Sequence, residues 1–126
     1  MHKSRLAALV IDCETRDLEP AAAFWAAALG LRVDPDRSSP KYIRLAGPDG
    51  EVRVLIQSVE HPARVHLDIE SDDKPAEVAR LTGLGAKRIG AIERWVVMEA
   101  PTGHRFCVVN PQRPDLDRNG NVWDGD

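Results

Sequence analysis

Cysteine is scarce in this chain. Only Cys13 and Cys107 occur among 126 residues, too few for the disulfide frameworks that hold small secreted domains together. Both are therefore read as free thiols of a reducing cytoplasm. Excess positive charge is also missing: 17 Lys and Arg against 20 Asp and Glu leave a formal charge of -3. Without surplus cations to neutralise phosphates, nucleic acid is excluded as a partner. No long hydrophobic run is present either. The apolar stretch Leu6 to Ile11 is too short to span a bilayer and no small-residue cleavage site follows it, so neither a signal, an anchor nor a membrane partner is expected. What remains is an ordinary globular composition, 43% hydrophobic and 29% charged, of the length of one compact domain with a real core.

The pattern along the chain is strand, helix, strands, given twice. Leu6 to Cys13 is an apolar run of strand length. Asp17, Glu19 and Pro20 then supply helix-start chemistry, and Ala21, Phe24, Trp25, Ala28 and Leu29 recur at the spacing of one buried helical face that closes at Gly30. Tyr42 to Ala46 and Val52 to Val59 read as a hairpin around Gly47-Pro48-Asp49-Gly50. Pro62 closes this segment. Arg64 to Glu70 alternates as a strand, Asp72 or Asp73 with Pro75 opens a second helix through Leu84, and Gly85 ends it. Ile89 to Glu93, Trp95 to Glu99 and His104 to Val109 complete the set as short strands. Asp17 and Asp72, Leu29 and Leu84, and Gly30 and Gly85 are each 55 positions apart, which marks an internal repeat.

Two such modules, with IDC before the first helix, FWAAALG within it, RVHLDI opening module two, LTGLGA at the second helix end and APTGHRFCVV at the last strand pair, resemble the vicinal oxygen chelate superfamily and its glyoxalase-like members. The resemblance implies an α+β fold: two βαβββ modules whose curved mixed sheets form a cup, with the helices outside. The single domain would occupy residues 1–111, module one about 5–60 and module two about 64–111, with 112–126 a polar tail. It also implies a possible divalent metal in the cup, held by first and last strands of each module. His66, six residues before Asp72, matches one ligand position. The equivalent position in module one falls on Val10, which has no donor atom. The last-strand position falls on Cys107, where metal-dependent members carry Glu. For the remaining position VLIQSV points to Gln57, whereas counting from Gly50 points to Val54.

On strand geometry alone, His66, Asp68 and Glu70 share one face of a strand. An imidazole near a carboxylate suits metal ligation or proton transfer, and a solvated sheet face is the plainer alternative. Asp12 stands two residues after Val10 as Asp68 stands two after His66, so both acids can face the same site. Trp95 can supply an aromatic wall for an apolar ligand. Trp25 reads as core, Cys107 as a small packing residue, His61 as linker and His104 as exposed turn.

The end of the chain, DLDRNGNVWDGD, places Asp115, Asp117, Asn119, Gly120 and Asp126 at calcium-loop spacing. It lacks the flanking helices of such a loop and reads instead as a disordered polar tail outside both fold and site. Two functions are consistent with these residues. The chain encloses a small organic molecule with no high-affinity cofactor, or it is a metal-dependent lyase or dioxygenase using one divalent metal ion held by His66, Gln57 and Cys107. The superfamily resemblance also implies a homodimer.

Overall fold

The structure, a computed structural model, describes residues 1–48, 50–92 and 94–125, without the side chain of Arg37. In chain order its elements are β1 (His2–Glu14), α1 (Glu19–Leu29), β2 (Arg32–Asp34), a 3-10 turn (Pro35–Arg37), β3 (Tyr42–Ala46) and β4 (Arg53–Val59). There follow β5 (Arg64–Ser71), α2 (Lys74–Gly83), β6 (Lys87–Ile92), β7 (Trp95–Glu99), β8 (Arg105–Val109), α3 (Leu116–Asn119) and β9 (Asn121–Trp123). The fold is α+β, and its order is βαβββ twice over. The chain divides into two compact units. The first-module unit is Ala8–His66; the second-module unit joins Met1–Ala7 to the chain from Leu67 onward.

In the first-module unit the strands run β2-β3-β4-β1, with β1 parallel to β4 and the other pairs antiparallel. Helix α1 starts where Asp17 Oδ1 accepts the Glu19 amide at 3.1 Å, and it stops at Gly30, whose φ of +69° is cheap only for glycine. Its buried stripe differs from the one expected. Leu18, Leu45 and Ile56 form the core, with Ala21, Trp25 and Ala26 packed against it, while Phe24 is 62% and Leu29 47% exposed. The alanine-rich helix carries two overlapping apolar stripes, and fully buried Leu18 before its first turn selects the one through Trp25.

The second-module unit repeats the arrangement, with order β5-β8-β7-β6 and β5 parallel to β8. Asp73 caps α2 by accepting the Ala76 amide at 3.1 Å. Leu81 of the helix packs with Ala86, Met98, Phe106 and Val108. The strand expected at Ile89 to Glu93 is β6, which begins at Lys87; Glu93, like Asp49 of the expected hairpin turn, lies outside the described residues.

Two expectations are corrected here. β1 starts at His2 rather than Leu6, because hydrogen bonds take the polar side chains of its first residues into the interior. His2 Nε2 is 2.8 Å from Glu77 Oε1, and Trp123 Nε1 donates to Ser4 Oγ at 2.8 Å. The guanidinium of Arg80 lies 3.8 Å above the Trp123 ring. Burial pushes the Glu77 carboxyl up, and hydrogen bonds from Arg80, His2 and Ser4 outweigh it and hold the group below its ordinary value.

The tail, secondly, is ordered rather than disordered. Leu116 is buried, and β9 pairs antiparallel with β1 through His2–Trp123, Lys3–Val122 and Ser4–Asn121. Of the residues at calcium-loop spacing, Asp115 is bonded within the protein. Asp115 Oδ1 accepts from Arg5 at 2.5 Å and Oδ2 from Asn119 at 2.6 Å, so its oxygens are already engaged, and Asp126 lies outside the described residues. Arg5, and after it Asn119, hold the Asp115 carboxyl well below the usual carboxylate range.

Glu70 ties these pieces together. Its side chain is wholly buried and accepts the amides of Gln112 at 2.7 Å and Arg113 at 3.0 Å on one oxygen. The other oxygen accepts Arg5 Nε at 3.0 Å and Arg113 Nε at 3.1 Å. A second Arg113 nitrogen donates to the Leu6 carbonyl at 2.6 Å. Burial pushes the Glu70 carboxyl up, but the two amides and two guanidinium groups outweigh it and hold it below its ordinary value.

Two outcomes follow for stability. Truncating the chain before Pro114 should destabilise it by about 3 kcal/mol, from lost burial of Leu116 and Trp123; denaturant titration measures this. Glu70→Gln should cost about 3 kcal/mol at neutral pH. Because the folded-state carboxyl is held low, its contribution is complete above the unfolded value of about 4.3 and is lost as pH falls through the folded value. The variant should therefore show a flatter acid limb than the parent in melts recorded against pH.

Candidate functional site

Strand alternation sorts the side chains of the first-module unit into two faces. Ile11, Cys13, Ile43, Val54 and Ile56 belong to the α1 core. Their neighbours Val10, Asp12, Tyr42, Arg44, Leu55 and Gln57 therefore project from the opposite face. Register places them in rows: Asp12 is opposite Gln57 and Gln57 opposite Tyr42, while Val10 is opposite Leu55 and Leu55 opposite Arg44. The Gln57 amide donates to the Tyr42 hydroxyl at 3.3 Å.

His66 joins the first of these rows. Its Nδ1 lies 2.8 Å from Asp12 Oδ2, and the Asp12 side chain is only 2% exposed against 14% for His66. An ionised carboxylate can only accept, so the geometry assigns the proton to Nδ1 and makes Nε2 the basic nitrogen. Arg64 Nε stands 3.8 Å from the same Asp12 oxygen, a longer and more exposed pairing. Beside this pair, burial and then the Asp12 charge push the Cys13 thiol up, which disfavours its reactive thiolate.

In the second-module unit, Ile69, Val96, Met98, Phe106 and Val108 face α2, so Asp68, Trp95, Val97 and Cys107 take the other face by the same alternation. Asp68 is opposite Cys107 in register, with donor atoms within 4.8 Å of each other. Asp68 also follows His66 by two positions along β5. Trp95 pairs with Ile92, at the β6–β7 end of this sheet. Glu70, on the same strand face as Asp68, is held by Arg5 and Arg113 and serves the fold. His104 is exposed and bonded to Thr102 at 2.7 Å, and His61 to the Pro62 carbonyl at 2.8 Å.

The structure thus brings Asp12, Gln57 and His66 together on one unit and Asp68 with Cys107 on the other. Sequence reasoning overlooked Tyr42 and Arg44. Strict alternation in Tyr42-Ile43-Arg44-Leu45 was the available signal, since it places both on the face shared with Gln57.

The donors do not fit a hard divalent ion of the glyoxalase kind. Val10 is buried on the polar face with no ligating atom, Gln57 offers only a neutral amide oxygen, and Cys107 replaces a hard oxygen with soft sulfur. Imidazole, carboxylate and thiol are instead zinc-type donors.

A family model described as a glyoxalase-like domain matches residues 8–109. No curated protein matches the chain by sequence. Among solved structures it is similar to methylmalonyl-CoA epimerase from Mycobacterium tuberculosis, with TM-score 0.58 and 16% identity over 89% of this chain and 90% of that one. It is also similar to a hypothetical protein from Bacillus halodurans, at TM-score 0.62 and 12% identity over 87% of this chain and 96% of that one. A Mn(II)-bound glyoxalase from Novosphingobium aromaticivorans shares TM-score 0.60 and 16% identity over 94% of this chain but only 44% of its own. With a family match spanning both modules, the chain belongs to the glyoxalase-like domain family.

Proposed function

We propose that this protein binds a small organic molecule on the sheet face of its first-module unit turned away from α1, without depending on a tightly held catalytic metal. His66, Asp12 and Gln57 serve there; Asp68 and Trp95, on the helix-free face of the second-module unit, are a separate candidate set. The observation that carries this reading is the 2.8 Å bond from His66 to a carboxylate that is 2% exposed. Burying a carboxylate is costly, and here the cost is incurred on a sheet face that is otherwise apolar at Val10 and Leu55. A fixed tautomer beside an amide and a phenol orients a ligand that carries both donors and acceptors.

A second reading rests on the opposed Asp68 and Cys107. With a soft and a hard donor within 4.8 Å, the chain would hold zinc and act as a metal-dependent lyase; the dioxygenase alternative would need a redox-active metal in its place. Val10 at an expected ligand position weighs against it.

We further place the protein in the cytoplasm, where Cys13 and Cys107 stay reduced, and as a homodimer, for which exposed Phe24 and Leu29 on α1 supply apolar surface. Sedimentation should give a species twice the 13.9 kDa chain mass; a monomer at micromolar concentration opposes the dimer.

Ligand-observed NMR with a library of small organic fragments tests the binding reading. Saturable binders should be weakened about tenfold or more by Asp12→Asn and His66→Ala, with both variants retaining the parent's far-UV spectrum. Fragments that bind parent and variants alike would remove the site from consideration. Near-stoichiometric zinc in protein purified without chelator, lost in Cys107→Ala, would instead favour the metal-dependent reading.

A further inference from the structure

Two buried side-chain polar atoms have no hydrogen-bond partner among the described residues: Asp12 Oδ1 and Arg44 Nε. Both belong to the first-module unit, and both project from the sheet face opposite α1. They are of opposite kinds. The Asp12 oxygen can only accept, and its sister oxygen is engaged by His66. The Arg44 nitrogen can only donate, and the nearest carboxylate, Asp34 Oδ2, stands 3.8 Å from a different guanidinium nitrogen.

An unmet buried acceptor and an unmet buried donor are each unfavourable, and native structures leave few of them. Here the ground between them is apolar, with Leu55 directly opposite Arg44 on one side and Val10 on the other, and Val10 two residues from Asp12 along β1. Asp12 and Arg44 stand two strands apart and two residues out of row, which corresponds to roughly 12 Å between their Cα atoms.

We infer that the ligand of this face is an organic acid: its carboxylate is taken by Arg44 and a hydroxyl or amino hydrogen at its far end by Asp12 Oδ1, across an apolar spacer on the side of Leu55. This inference rests on the binding reading above and adds to it the chemical class and the polarity of binding. Guanidinium matches carboxylate in planarity and donor spacing. Asp12 repels a carboxylate at its own end, so the two ends are not interchangeable. Gln57 and Tyr42, in the row between Asp12 and β3, are placed beside the spacer.

The test uses 3- and 4-hydroxybenzoate, each with its primary amide, and benzoate as the form without hydroxyl, measured by ligand-observed NMR titration on the full chain. At least one hydroxy acid should bind about tenfold tighter than its amide, and about tenfold tighter than benzoate. Arg44→Gln should erase the preference for acid over amide, and Arg44→Lys should keep part of it, which separates loss of the charge from loss of the fold. Asp12→Asn should erase the preference for the hydroxy acid over benzoate while leaving acid over amide intact. Amides that bind as tightly as acids, or an acid preference that survives Arg44→Gln, overturn the assignment. If that happens while Asp12→Asn and His66→Ala still weaken fragment binding, the site stands and only the acid class fails. If no fragment responds to any of these variants, both readings fail.

Discussion

Everything in the second-module unit is arranged around one buried carboxylate. Glu70 lies on β5 with no exposure, where an unpaired charge would be prohibitive. It is tolerated because four donors converge on it from two places: Arg5 from the start of β1, and Gln112 and Arg113 from the segment after β8. The requirement to satisfy that charge explains why residues before the first expected strand and after the last one are ordered at all. Once Arg5 and Arg113 are fixed, Asp115 is in reach of Arg5, Leu116 is carried into the interior, and β9 falls beside the first residues of β1. His2, Glu77, Arg80 and Trp123 then close the same seam with a second buried carboxylate.

The repeat gives each unit the same division of labour. One sheet face is sealed by its helix, through Leu18 and Trp25 in one unit and Leu81 in the other. That leaves the opposite face as the place where polar groups accumulate. In Ala8–His66 the accumulation is ordered: Tyr42, Gln57 and Asp12 form a row in register, and His66 is bonded to the last of them. The two units nevertheless differ in donor chemistry, with an acid, imidazole and amide on one and an acid and thiol on the other.

That difference bears on how far the fold alone speaks for function. The solved structures it resembles include an epimerase and a manganese-bound glyoxalase, at 16% identity in each case, and a shared fold accommodates many chemistries. What distinguishes this chain is local. Val10 cannot ligate, Asp12 holds His66, and Arg44 presents a donor over apolar ground. These are the features on which the proposed recognition of an organic molecule rests.

The sequence by itself determined the strand-helix-strands order of both modules and, to within a residue or two, the ends of both helices, because apolar periodicity, Asp17, an acid at 72 or 73 and the glycines at 30 and 85 act over a few residues and need no distant partner, whereas β2, α3 and β9 left no such local signal. It also determined that His66 and Asp68 share a strand face, since alternation is a property of the backbone. Only the tertiary structure decided which of two apolar stripes α1 buries, because an alanine-rich helix presents both and Leu18 chooses between them. It alone decided the fate of the tail, whose Asp and Asn content reads as solvated until Arg5, more than a hundred positions away, is brought beside Asp115. It alone joined Asp12 to His66, which lie 54 positions apart, and left one oxygen of that carboxylate unmet. Pairings of this kind depend on which strands come together and in what register, and no local pattern in the chain encodes that.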